Sequence, residues 1–112
     1  QEEAQADHNL RGKFFTDKDG YFSFRTVLPA GYPIPTDGPA GEMVLFQKRE
    51  PWRPAHIHYS VSGDAFAQRL ITQMYFAGDP LIERCPIVRT IRNEEAVRGL
   101  IAPLDVHLSS CP

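Results

Sequence analysis

Several absences in this sequence narrow what it can do. No apolar run approaches the length of a membrane span. The formal charge is only -2, so electrostatics give no reason to bind nucleic acid or an anionic membrane. Cysteine is scarce: Cys85 and Cys111 are the two, and they do not form a CxxC pair. A redox motif or a zinc ribbon is therefore not expected, and two free thiols in a reducing compartment are the simpler reading over a single bridge. No internal repeat is visible. No basic-then-apolar leader opens the chain, so a signal peptide is expected to be absent or already removed. Gln1 in place of Met suggests a processed, cleaved or excerpted chain. A cytoplasmic location is the default expectation, and the Gln1 start leaves secretion open.

The chain has 112 residues, which suits one domain over 1–112. With 42% apolar and 23% charged residues it reads as globular and not disordered. Residues 1–9 are polar and acidic and read as an arm or loop. Residues 10–16 are strand-like. Asp17-Lys18-Asp19-Gly20 reads as a turn. It resembles the start of a calcium loop, but Gly20 stands fourth where Gly is needed sixth, and Leu28 stands where Glu is needed. Residues 21–28 alternate and are rich in aromatic and β-branched side chains, the pattern of a strong strand. Pro29, Pro33, Pro35 and Pro39, with Gly31, Gly38 and Gly41, argue against regular structure until about Glu42. A loop of that length is usually functional or disordered, and its prolines favour the functional reading. Strands are expected over 55–62 and 69–76, ended by Gly78-Asp79-Pro80, with 86–90 extended. Asn93 is an N-cap, followed by Glu94 and Glu95, for one short helix running to about Ile101. The expected class is mainly β: an antiparallel β-sandwich with long loops and one short helix.

The most informative run is Trp52 to Tyr59, WRPAHIHY. On a strand His56 and His58 point to one face, while Ile57, Tyr59 and Val61 form the other. Two imidazoles side by side can present a metal, but an HxH pair can equally be a hydrogen-bonded structural feature. Tyr32, between Gly31 and Pro33, is a second candidate ligand or an aromatic plug. A phenol ionises near neutral pH only beside strong positive charge, and phenolate is a hard donor that suits ferric ion. Arg53 is either a surface charge or a stabiliser of developing negative charge. Gln73 shares a strand face with Ile71 and Tyr75 and needs partners if buried. Trp52 and Tyr59 read as core or pocket wall.

Together these residues resemble the intradiol ring-cleaving catechol dioxygenases. The likeness runs through LRGKFFTDKDGYFSFRTVLPAGYPIPTDGP, PWRPAHIHYSVSG and LITQMYFAGDPLIERCPIV, about residues 9–88. It implies a β-sandwich holding non-haem Fe(3+) through two tyrosines and two histidines. Tyr32 matches the second tyrosine ligand, which can accept a catechol proton; His56 and His58 match the histidine ligands. Arg53 matches the arginine that stabilises the electron-rich substrate carbon, and Gln73 the glutamine that lines the same pocket. The implied reaction opens an aromatic diol between its two hydroxyl carbons, with O2 as co-substrate, giving a muconate-type diacid. A homo-oligomer, a dimer, is the implied assembly. Tyr21, Tyr59 and Tyr75 match other places in the pattern and are not assigned as ligands. The first tyrosine ligand would fall upstream of Gln1, and the family pattern also continues past Pro112. The chain is therefore expected to be part of a larger catalytic sandwich, with a short homologue bearing an incomplete iron site as the alternative. The segment around PIPTDGPAG looks like the catechol, chlorocatechol and hydroxyquinol branch, whereas LITQMYFAGDPLIERCPIV looks like a protocatechuate dioxygenase β subunit; a catechol or hydroxyquinol-type substrate is expected. Two rivals remain at this point: a non-catalytic transthyretin-like binding module, and an iron(II) oxygenase using the two histidines with Asp37 or Asp64.

Overall fold

A computed structural model describes residues 6–104. Its elements are β1 (Tyr32–Pro33), α1 (Pro39–Phe46), β2 (Trp52–Arg53), β3 (His56–Val61), β4 (Leu70–Phe76), a 3-10 turn over Val88–Thr90, α2 (Glu94–Gly99) and β5 (Ile101–Ala102). β1 and β2 form a two-stranded antiparallel sheet; β3, β4 and β5 form a three-stranded sheet in that order. The mainly β class is as expected. Both sheets are open-edged, and β5 joins β4 in parallel rather than antiparallel fashion.

The central hairpin forms where alternation is cleanest. β3 and β4 pair antiparallel from His56 opposite Tyr75 to Val61 opposite Leu70. Gly78, at φ +86°, turns the chain just after β4, a conformation that costs glycine little. Asp79 then accepts hydrogen bonds from the amides of Ala55 (3.2 Å) and Leu81 (2.9 Å), tying this turn to the start of β3. Asn93 caps α2, its Oδ1 accepting from the amides of Glu95 and Ala96 at 2.9 and 3.2 Å. The core lies at this end: Tyr75, Ile82, Cys85 and Val88 are buried, with Val97, Leu100 and Ile101 packed against them.

Five expectations are corrected. Residues 10–16 and 21–28 are not strands. The turn between them does form: Asp17 Oδ1 accepts from the amides of Asp19 and Tyr21, both at 2.9 Å, and Gly20 sits at φ +87°. The arms beyond it carry exposed Phe15, Phe22 and Val27, and a hairpin without a packed face is marginal. Within the Pro-Gly segment Pro39 starts α1 where irregular chain was expected; at the first helical turn its missing N–H costs nothing. Among the described residues there are thus two short α-helices instead of one. Residues 86–90 were expected to be extended but include the 3-10 turn, because Cys85 and Val88, three apart, both bury inward. Finally, α2 ends at Gly99, and Ile101 belongs to β5. Cys111, and with it any Cys85–Cys111 pairing, lies outside the described residues.

Candidate active site

Strand pairing assembles the site. In the β1–β2 ladder Tyr32 stands opposite Arg53. This close approach needs glycine at position 31, where a Cβ would lie 2.8 Å from the Arg53 carbonyl oxygen. Buried Pro54 and half-buried Ala55 link β2 to β3. On β3 and β4, His58 faces Gln73 and His56 faces Tyr75. Directly paired residues share a sheet face, so two imidazoles, an amide and a phenol stand together.

Arg53 is the hub, only 8% exposed. Its Nη1 donates to Tyr32 Oη at 3.0 Å. Its Nη2 donates to Gln73 Oε1 and, at 3.4 Å, to Tyr75 Oη. Tyr75 Oη in turn donates to Gln73 Oε1 at 2.8 Å. The guanidinium carbon also lies 5.8 Å from the Tyr32 ring centre, within cation–π range. Burial disfavours the Arg53 charge, but hydrogen bonding to Tyr75, the adjacent Cys85 thiol and the Tyr32 oxygen outweigh it, and the guanidinium is held more firmly protonated than usual. Arg53 Nε is buried and has no hydrogen-bond partner among the described residues.

The His56 ring centre lies 5.5 Å from that of Tyr32, 5.0 Å from that of His58 and 5.8 Å from that of Tyr75. His56 Nδ1 donates to the Pro54 carbonyl at 2.7 Å; since that oxygen can only accept, Nδ1 carries the proton and Nε2 keeps a free lone pair. Burial lowers the His56 pKa; the Pro54 bond opposes this, and the Arg53 and His58 charges add to it. Neutral imidazole with one oriented lone pair is the form that binds a cation, and the backbone bond fixes the tautomer. Tyr32 and His58 are exposed while Arg53 and Tyr75 are buried, so the cluster is open on one side and dry on the other. A phenol oxygen and two imidazoles, with a guanidinium behind them, form a donor set that fits a hard, highly charged cation.

All five residues singled out in the sequence, Tyr32, Arg53, His56, His58 and Gln73, are brought together. Trp52 is 46% exposed on β2 and is not core. Among the described residues no group of three or more His, Cys, Asp and Glu side chains forms a metal cluster, so neither Asp37 nor Asp64 joins the histidines as the iron(II) rival requires. Two concave regions of about 510 and 630 Å3 lie elsewhere, and neither is lined by Tyr32, His56 or His58. The residue the sequence reading left out is Tyr75. The signal was present: Tyr75 is two positions from Gln73, hence on the same face, and antiparallel pairing of HIHY with TQMY sets it opposite His56.

Comparison with known proteins identifies the family. A family model described as "Dioxygenase" matches residues 1–111. The chain is 47% identical over 78 residues to the hydroxyquinol 1,2-dioxygenase of Rhizobium sp. (strain MTP-10005), covering 70% of this chain and 26% of that protein. It is 49% identical over 81 residues to the catechol 1,2-dioxygenase of Candida albicans, covering 68% and 26%. The solved structure of hydroxyquinol 1,2-dioxygenase from Pseudomonas putida DLL-E4 matches with a TM-score of 0.63 and 41% identity, over 71% of this chain and 28% of that one. The chain thus spans about a quarter of the length of the curated relatives it matches.

Proposed function

The chain belongs to the intradiol ring-cleaving dioxygenases, and from that premise we propose that it contributes the iron-binding and substrate-steadying face of an enzyme that opens catechol-type diols with O2. One observation carries the reading: Tyr32, His56 and His58 meet beside a buried, hydrogen-bonded Arg53. Tyr32, His56 and His58 would hold the ferric ion, with a further tyrosine from outside these residues. The ion supplies Lewis acidity toward two adjacent hydroxyls and a route for electron density out of the ring.

The chain's own groups do the rest. Tyr32 Oη already accepts from the Arg53 guanidinium, which orients this oxygen toward the site as an acceptor for a hydroxyl proton. Arg53, anchored on its buried side by Gln73 and Tyr75, sets a fixed positive charge where the ring becomes electron-rich. Burial, with the Arg53 and His58 charges, disfavours protonation of His56. The buried Arg53–Tyr75 side excludes water from the reacting bond. Catechol and hydroxyquinol-type diols are the substrates of choice, on the strength of the two relatives so named.

The test is to load the intact protein with ferric iron and supply catechol or hydroxyquinol in air. Stoichiometric O2 uptake with a muconate-type diacid supports the reading. A ring-opened semialdehyde, or no O2 uptake by a protein that retains iron, would sink it.

A further inference from the structure

Tyr75 belongs to no assigned role, yet it is 2% exposed and makes two polar contacts inside the site. Its neighbour Gln73 has an amide whose two ends look alike in shape but not in chemistry: one accepts and the other donates. Here the orientation follows from the partners. A guanidinium can only donate, so the Gln73 atom facing Arg53 Nη2 must be Oε1. Tyr75 Oη accepts from Arg53 Nη2, which leaves its own proton to be given to the same Oε1. The carbonyl end of Gln73 is thus doubly engaged. Its Nε2 end has no acceptor among the described residues, and Gln73 is only half-buried on the histidine face.

We propose that Tyr75 is a positioning residue that, with Arg53, locks the Gln73 amide so that its NH2 group is offered to the ligand as a hydrogen-bond donor. The site then presents two donors, the Arg53 guanidinium and the Gln73 amide, beside the His56 Nε2 lone pair that would face the cation. Such a pairing selects an oxygen anion, the ionised diol, over its neutral or O-methylated form. A Phe at position 75 would keep the ring packed in the core and lose only the hydroxyl. The Gln73 carbonyl would then keep Arg53 alone, and the amide would gain freedom to swing.

The ligand half of this proposal rests on the reading of the chain as a diol-cleaving enzyme; the amide orientation does not, and the experiment separates the two. In the intact, metal-free protein labelled with 15N-glutamine, the Gln73 side-chain amide is assigned by its disappearance in Gln73→Leu. It should resonate apart from the exposed glutamines in the wild type and move toward them in Tyr75→Phe. An unmoved signal overturns the proposal. In the iron-loaded protein without O2, the Kd for catechol is measured across Tyr75→Phe, Gln73→Leu and the double variant. Each single change should weaken binding about tenfold, the scale of one hydrogen bond to a charged oxygen, and the double variant should be no weaker than Gln73→Leu alone. Multiplying effects would mean that Tyr75 does not act through Gln73, which also overturns the proposal. Failure of the wild type to bind catechol removes the diol reading instead, and the amide signal then decides the role of Tyr75.

Discussion

Tyr32 is the residue on which both halves of the site meet, because it touches Arg53 on one side and His56 on the other. Tyr32→Phe should therefore act twice. It removes the acceptor for Arg53 Nη1 and leaves a buried charged donor unmatched, a loss of about 1–3 kcal/mol that a thermal or urea melt would report. In the iron-loaded protein it should also bleach or shift the reddish tyrosinate band and slow turnover; an unchanged spectrum would show that Tyr32 is not a ligand. Tyr75 makes a separate prediction in pH. Burial raises its pKa; the Arg53 hydrogen bond opposes this. The folded state thus holds this phenol neutral where the unfolded chain ionises, above about pH 10. Its contribution to stability is full below that point and is lost as pH rises toward the higher folded value. Urea midpoints between pH 9 and 11 should fall more steeply for the wild type than for Tyr75→Phe. Parallel curves would mean that Tyr75 titrates alike in both states.

Among the elements, legibility followed whether a segment carries its own partner. β3 and β4 were readable because each alternates cleanly and each is the other's ladder; so was the face shared by His56, His58 and Gln73. The N-cap of α2 was readable because Asn93 acts through its own side chain on adjacent amides. Residues 21–28 have strand chemistry as strong as β4, but no strand among the described residues pairs with them, so propensity alone was not enough. Pro39 misled for the opposite reason: a breaker inside a helix is a good starter at its first turn. Tyr75 was hidden because its importance comes from cross-strand pairing and not from a motif. The two-residue β1–β2 ladder is the element on which the site depends most. Replacing Gly31 by Ala would press a methyl into the Arg53 carbonyl, so the Tyr32 loop must move. Overpacking of this kind should cost about 1–3 kcal/mol and weaken any iron band carried by Tyr32. Gly63→Ala, whose added carbon meets only the Phe66 side chain at ordinary contact distance (3.5 Å), is the control that should change neither. Equal effects from both would remove the argument from close approach.

For the whole molecule, the site and the core are the same place. Among the described residues, Tyr75 is one of four buried residues that form the core cluster, and it is also the inner wall of the Arg53 network. The radius of gyration is 17.3 Å, whereas a compact domain of this length would have about 13 Å. Much apolar surface faces outward: Phe15 is 78% exposed, Tyr21 75% and Phe46 89%. The Phe24 ring lies between those of Phe14 and Phe22, its centre 5.5 and 6.4 Å from theirs. Soluble monomers rarely show such continuous apolar patches uncovered. Produced alone, the 112-residue chain should bind a hydrophobic-surface dye and elute larger than its monomer mass, increasingly so with concentration. Phe22→Lys with Phe24→Lys should reduce both effects without touching the histidine face. A second variant checks the link between core and site: Val88→Ala should cost about 1–3 kcal/mol by leaving a cavity under Tyr75. It should loosen the Arg53 network at the same time, read as a weaker iron band at a temperature where the chain is still folded. If Val88→Ala lowers the melting temperature yet leaves that band untouched, the core and the site are independent, and the buried face of Arg53 is held by its hydrogen bonds alone.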